Sequence, residues 1–312
     1  MTVHWLDLSA PPHLPALYAQ AAAKRKITGN TLPEQGVRCW VDIDPQALAA
    51  FRDACAIAPS PLLPPTYPHV LAFGLQMQLL TDKDFPFPLL GLIHLTNRIR
   101  VMRPMGGVTR LRIGVFVHNL QKHPKGATFD VVTQVDDQLG PLWEAESTLL
   151  CKGVELPGEV PATPTFSPLA LTELTRWYAP SNIGRRYARV SGDYNPIHLS
   201  AASAKLFGLP SAIAHGLWLK ARALAALNAH LPAANVAISV AFKKPVRLPS
   251  EVILLSSDAG SSGDFQLNGH GDLLHLVGQW RPISPRNQPL LKNFQNLPCA
   301  LNISAVHSPS LA

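Results

Sequence analysis

The sequence predicts an α+β protein made of two tandem copies of one unit, each an antiparallel sheet wrapped around a central helix. Three observations carry this expectation. The chain has 312 residues, more than a typical single domain, and enough to bury two cores. A short pattern recurs: Leu63-Pro64-Pro65-Thr66-Tyr67-Pro68-His69-Val70-Leu71 lines up without a gap on Leu209-Pro210-Ser211-Ala212-Ile213-Ala214-His215-Gly216-Leu217, and each copy opens an apolar helix. Each of those helices is followed by runs with the two-residue alternation of strands.

In the first half, residues 14–25 (LPALYAQAAAKR) read as a short helix and 37–43 (VRCWVDI) as a strand. Residues 45–56 read as a second helix with Pro45 near its start, where a missing N–H costs nothing. The apolar stretch 63–80 is the first central helix, entered through prolines. The runs 108–119, 127–136 and 141–151 form a meander of antiparallel strands. In the second half the central helix is expected at 213–228. Its only charges are Lys220 and Arg222, so it should be buried on most sides. A strand-like piece ends in Lys244-Pro245-Val246, matching Arg103-Pro104-Met105, and runs at 251–256, 264–269 and 273–280 complete the second sheet. The boundaries that follow are a first unit at 1–157, a proline-rich linker at 158–170, a second unit at 171–285 and an irregular tail at 286–312.

Composition excludes several classes. Hydrophobic residues make up 47% of the chain and charged ones 15%, the balance of a globular protein and not of a disordered one. No apolar run reaches the roughly eighteen residues that cross a bilayer, and the N-terminus shows no secretory signal. Cys39, Cys55, Cys151 and Cys299 are scattered without metal-ligand spacing and read as buried free thiols of a cytoplasmic protein. The net charge of +7 raises nucleic acid as a partner. The basic residues are spread, however, and no RNA- or DNA-binding motif is present. A basic surface equally suits an acidic small partner, such as the phosphates of coenzyme A or an acyl carrier protein.

The chemistry concentrates in Tyr187 to Gly216. Asp193 and His198 are five residues apart, about 140° on a regular helix. Pro196 and Gly192 exclude such a helix, since proline lacks an N–H and pushes Asn195 out of the α region, while glycine permits a tight turn. A loop that bends a carboxylate and an imidazole toward one point serves acid–base work. Taken singly, Asp193 also suits a turn residue and His198 a core histidine. Tyr187, Ser191-Gly192-Asp193-x-Asn195-Pro196-Ile197-His198 and Ala204, followed by Ala214-His215-Gly216, resemble the signature of the (R)-specific enoyl-CoA hydratases, which belong to the MaoC-like dehydratases with the hot-dog fold. The motif spans about thirty residues, and the hot-dog reading covers most of the second half. The repeat then looks like a fused pseudo-dimer of two hot-dog units.

The resemblance implies reversible hydration of trans-2-enoyl thioesters to (R)-3-hydroxyacyl thioesters. Asp193 and His198 would be the acid–base pair, and the Gly216 backbone N–H, at the positive end of a helix dipole, would donate to the thioester oxygen. Asn195, His215, Lys243 and Lys244 complete the candidate set on the substrate side. Asn195 also holds its turn, His215 also supports loop geometry, and the lysines, with Arg247, suit CoA phosphates or a solvated sheet end. No cofactor and no metal are expected, CoA or phosphopantetheine arriving as part of the substrate. The expected substrates are CoA esters of medium or long chain. Alternatives are a dehydratase of 3-hydroxyacyl carrier-protein or substituted hydroxyacyl-CoA substrates, then a hot-dog thioesterase or a non-catalytic acyl-CoA-binding protein. Two-domain relatives keep one site, in the second half, and a degenerate first half leaves room for a longer acyl chain. The lack of an SGDYNPIH stretch before the first helix, and Val70 in place of Gly216, fit that pattern. A fused pseudo-dimer could act alone or form a homodimer.

Overall fold

A computed structural model describes residues 3–161 and 171–283. Most of the expected linker and the whole tail at 286–312 lie outside the described residues, as does Cys299; Cys39, Cys55 and Cys151 are buried and unpaired. The first half begins with β1 (His4–Asp7) and α1 (Leu14–Ala23), then β2 (Gln35–Asp42), α2 (Pro45–Cys55) and the central helix α3 (Tyr67–Thr81). Strands β3 (Ile93–Val101), β4 (Arg110–His123), β5 (Gly126–Asp137) and β6 (Gly140–Lys152) follow. The second half runs β7 (Thr172–Ala179), α4 (Ile183–Ser191), a 3-10 turn at Pro196–His198, α5 (Ala201–Lys205) and the central helix α6 (Gly216–Ala226). It ends with β8 (Val236–Phe242), β9 (Ser250–Ser256), β10 (Gly263–Asn268) and β11 (Leu274–Pro282).

All eleven strands form one sheet in the order β1-β2-β4-β5-β6-β3-β8-β11-β10-β9-β7. Apart from the parallel pair β1–β2, neighbours are antiparallel, and the two halves repeat one another: β2-β4-β5-β6-β3 corresponds to β7-β9-β10-β11-β8, read from the outer edges inward. The halves join where β3 meets β8, with Arg98 opposite Ser239. The offset that matches Arg103-Pro104-Met105 to Lys244-Pro245-Val246 also carries Arg98 onto Ser239, so the pseudo-twofold axis passes through this pair.

Local sequence accounts for the elements. Asp44 caps α2 by accepting the Gln46 N–H at 2.8 Å, with Pro45 as the first helical residue. In β5, Phe129, Val131, Thr133 and Val135 alternate onto the helix side and are buried there. Trp143 and Trp280 are fully buried, one in each half of the sheet. Each indole satisfies its N–H on a backbone carbonyl, Pro65 and Gly260 respectively. The halves share a core. Tyr187 of α4 packs on Phe51 of α2, and the Trp218 indole donates to the Ala54 carbonyl at 2.8 Å. Helix α6 is buried on most sides as expected, but Lys220 is buried with it. Its ammonium donates to the Asn97 side chain at 2.7 Å, the Ile238 carbonyl at 3.0 Å and the Asn97 carbonyl at 3.2 Å. These three hydrogen bonds pin α6 to the β3–β8 seam.

Candidate active site

The site loop begins where α4 must stop. Gly192 adopts φ +78°, a left-handed helix cap, and Leu14 and Phe73 of the first half press on it so closely that a side chain there would collide. The next residue is Asp193. Its N–H donates to Ser191 Oγ at 3.2 Å, and its own carboxylate accepts the Asn195 N–H at 3.1 Å. Asn195 in turn accepts the Ile197 N–H at 3.4 Å. These side chains replace the helix bonds that Pro196 forbids. The 3-10 turn then delivers His198.

His198 is buried, and its Nδ1–H donates to the Ile213 carbonyl at 2.8 Å. That bond fixes the neutral tautomer and leaves the Nε2 lone pair as a base. Burial holds the His198 pKa below its ordinary value, against the opposing pull of Asp193 and the Ile213 carbonyl. The His215 ring stacks on His198 with centroids 3.7 Å apart. Its Nε2–H donates to the Asp193 carbonyl at 3.0 Å and stands 3.8 Å from the carboxylate. Burial, reinforced by His198, lowers the His215 pKa to about 3. It is therefore a neutral strut between the two motif residues. Asp193, His198 and His215 each bring a ligand atom to within 4.8 Å of one another. Two of the four imidazole nitrogens are spent on carbonyls, which leaves one ring nitrogen of each histidine in the cluster with the Asp193 carboxylate.

Gly216 is the first residue of α6, where backbone N–H groups have no intrahelical partner. A Cβ there would meet the Phe242 ring at 2.8 Å. The residues after Phe242 are Lys243 and Lys244, both exposed, as is Arg247. Arg247 pairs with Ile213 in a short bridge, so the basic cluster lies beside the segment that holds His198. Sequence reasoning thus placed Asp193, His198, His215 and Gly216 in one neighbourhood, and the structure brings them together. Asn195 acts on its own turn, and the lysines lie outside the buried centre.

Residues outside the candidate set also bear on the site. Tyr18 of α1 donates to the Gly192 carbonyl at 2.8 Å and accepts the Tyr194 N–H at 2.6 Å, bracketing Asp193 from both sides. Gly184 of α4 lies against the His198 backbone, where any Cβ would strike the carbonyl. Its only signal is a glycine inside a helix, a position that costs stability unless something must approach closely. His69 and His94 lie within the electrostatic reach of Asp193. For Tyr18, some 170 residues away, no local pattern could have served.

Comparison with known proteins finds several similar chains. The MaoC like domain profile matches residues 161–271. A 3-hydroxyacyl-thioester dehydratase X of Mycobacterium tuberculosis is 35% identical over 269 residues, covering 83% of this chain and 94% of the relative. The solved structure of that organism's HtdX superposes with a TM-score of 0.69 at 32% identity, over 79% of this chain and 99% of the other. A MaoC-like dehydratase from Phytophthora capsici superposes at 0.64 with 20% identity, over 79% and 95% of the two chains, a likeness of fold. Another Mycobacterium tuberculosis protein, described as a double hotdog, superposes at 0.51 with 14% identity over 83% and 96%. With the motif, the paired five-stranded units and a relative of this identity and coverage together, the chain belongs to the MaoC-like dehydratases, hydro-lyases, here built as a double hot-dog.

Proposed function

We propose that the protein catalyses the reversible hydration of trans-2-enoyl thioesters to (R)-3-hydroxyacyl thioesters, with Asp193 and His198 as the acid–base pair. The observation that carries this reading is the fixed tautomer of His198. Its Nδ1–H is committed to Ile213, so a neutral Nε2 faces the reaction as a base beside the Asp193 carboxylate. In the hydration direction a water held between the two groups loses a proton to the dyad as its oxygen bonds to C3. The dyad returns a proton to C2. Between these events negative charge develops on the thioester oxygen, and the Gly216 N–H at the positive end of α6 stabilises it. Dehydration retraces the path. Positioned acid–base groups contribute about 10²–10⁴ in rate.

In this reading the second half, 171–285, carries the chemistry and the first half, 1–157, the support. CoA or a phosphopantetheine carrier lays its phosphates on Lys243, Lys244 and Arg247, and the enzyme works in the cytoplasm without a cofactor. Among the described residues no helix is long and apolar enough to cross a membrane. The test is the loss of enoyl-thioester absorbance with crotonyl-CoA and with C10–C12 trans-2-enoyl-CoA. Wild type should consume the band, while Asp193→Asn and His198→Gln should each lose about 10³-fold in kcat with the fold retained by circular dichroism. Absence of turnover in wild type, in either direction, would reject the reading. The pH profile supplies a second check. Because burial lowers the His198 pKa from 6.5, the neutral base should persist down through that pH. kcat/KM should fall only on further acidification, and an acid limb starting above pH 7 would remove His198 as the base.

A further inference from the structure

A second cluster of polar side chains lies on the face of the sheet turned away from the helices. In β5, Phe129 and Val131 face the core, so Asp130 between them faces outward. Its cross-strand neighbours are His118 of β4 and Thr148 of β6, and Glu146 is the next outward residue along β6. His118, Asp130 and Glu146 each bring one ligand atom to within 4.8 Å of one another. His118 Nε2 stands 4.0 Å from Glu146 Oε2. Phe116 of β4 packs on the His118 ring with centroids 5.7 Å apart, and Trp5 of β1 meets Phe116 edge to face at 5.9 Å. Asp130 is only 4% exposed, an enclosed position for a carboxylate on an outer face.

The fold accounts for Asp130 but not for its two neighbours. A β-bulge follows His118, and Asn119 there takes a left-handed conformation at φ +58°, which asparagine tolerates. Its amide donates to Asp130 Oδ2 at 2.6 Å, and Thr148 Oγ1 donates to Oδ1 at 2.6 Å. These bonds fix the carboxylate and use one lone pair on each oxygen, leaving the other pair on each. His118 Nε2, by contrast, is enclosed and has no hydrogen-bond partner. At 4.0 Å the Glu146 carboxylate is too far away to accept from it. Burial, and next the charge of Asp130, holds the Glu146 carboxyl above its ordinary range, with Glu144 adding to the effect and Arg98 and Arg100 opposing it. Arg98 pairs with Glu146 from β3, one strand further from His118. Two carboxylates and a ring nitrogen thus converge without a bond that joins all three, and enclosed polar groups call for a partner.

We propose that His118, Asp130 and Glu146 bind a divalent transition-metal cation of the zinc type on the outer face of the first half of the sheet. One imidazole nitrogen with two carboxylate oxygens is a donor set for such an ion, and the imidazole disfavours magnesium and calcium. Water takes the fourth position. Zinc bonds to these atoms run about 2.0–2.2 Å, so the ligand atoms of a tetrahedral site stand about 3.4 Å apart. Asp130 is held by its two hydrogen bonds and His118 by Phe116. Glu146 has the longest carboxylate arm, and its side chain is 39% exposed. A change of its rotamer closes the remaining gap, and the same movement opens the way in for the ion. Asn119 and Thr148 then orient a ligating carboxylate from behind. The ion ties β4, β5 and β6 together. It takes no part in the reaction proposed above, none of whose residues belongs to this cluster.

The test is calorimetric titration of the full chain, treated with EDTA and dialysed, with ZnCl2 and separately with MgCl2. The reaction centre holds another group of potential ligands, Asp193, His198 and His215, so the titrations are repeated in Asp193→Asn. One zinc ion per chain should bind at this cluster in the wild type and in Asp193→Asn alike, with magnesium at least about tenfold weaker. His118→Ala and Glu146→Gln should each weaken zinc by about a hundredfold or more, and Asn119→Ala, which removes only an orienting partner, by about tenfold. Thermal unfolding gives a second readout: zinc should raise the wild-type Tm and leave that of Glu146→Gln unmoved. Absence of zinc binding by the wild type would overturn the site. So would binding that survives both His118→Ala and Glu146→Gln, or binding that disappears in Asp193→Asn. Should His118→Ala not fold, Glu146→Gln and Asn119→Ala carry the same decision.

Discussion

The two halves share a strand order but differ in one connection. In the first half, α2 ends at Cys55, Ala56 takes a left-handed cap at φ +50°, and residues 57–66 lead directly to α3. In the second half, α4 ends at Ser191, Gly192 takes the corresponding cap at φ +78°, and the path to α6 runs through residues 193–215. Asp193, the 3-10 turn with His198, α5 and His215 all lie in that longer connection. The scaffold thus supplies a helix N-terminus twice, and only the longer loop supplies the proposed acid–base pair. The first half is not idle. Tyr18, Leu14, Phe73 and the Ala54 carbonyl all hold second-half elements in place. With the shorter connection, it serves as a clamp.

Gly216→Val tests this difference most directly, because it writes the first half's Val70 into the second helix. The added side chain would meet Phe242 at the distance of a steric clash, 2.8 Å for the Cβ alone. Either the ring or the first turn of α6 must then move. Displacing the N–H from the thioester oxygen should cost about 10²–10³ in kcat, with KM changed far less. A variant that keeps wild-type kcat would show that the helix N-terminus is not the oxyanion donor, and that the halves differ only in the loop.

What was legible in the sequence follows the same division. The site motif is local: the carboxylate, the turn-forming Asn195-Pro196 and the imidazole lie within six consecutive residues, so chemistry and geometry can be read together. The central helices and the later strands were legible from periodicity. Strand β3 was not, because its inward positions include Asn97 as well as Ile99 and Val101, and the bulge after His94 breaks the alternation. Edge strand β7 shows only Trp177 and Ala179 fully buried, too few for a period. Lys220 looked like a residual charge on a buried helix. Its partners Asn97 and Ile238 come from two other strands, one in each half, and no window along the chain contains them.

Lys220 sharpens the comparison from the side of stability. Carrying the helix alignment on without a gap sets it against Gly74, so the seam is pinned from one helix alone. Lys220→Met would fill the space but leave the Asn97 side chain and the two carbonyls short of a donor. At pH 7 we expect a loss of about 1–3 kcal/mol in urea unfolding. The pH dependence gives the sign a second test. Burial lowers the Lys220 pKa well below 10.5, so between the lowered value and 10.5 the unfolded chain binds the extra proton, and wild-type stability rises with pH. Methionine removes that slope. The gap between wild type and variant should widen from pH 7 toward pH 10, and a gap that narrows would mean the buried ammonium is stabilised in its charged form by its three oxygens.

Tyr18 probes the clamp itself, with the smallest expected effect. Its hydroxyl both donates to the Gly192 carbonyl and accepts from the Tyr194 N–H, so the two peptide units flanking Asp193 are fixed by one atom from the other half. Tyr18→Phe keeps the ring and its edge-to-face contact with Tyr194, 6.3 Å between centroids, and removes only the hydroxyl. Losing two hydrogen bonds at a part-buried site should lower stability by about 1–2 kcal/mol. If Tyr18 only glued α1 to the core, activity would track stability and recover fully at low temperature. A positioning residue gives a different signature: kcat falls by about tenfold at temperatures where the variant is fully folded, while KM stays near wild type, because binding is intact and the carboxylate is misplaced. The halves would then be shown to cooperate in geometry as well as in packing, through one hydroxyl that the second half cannot provide for itself.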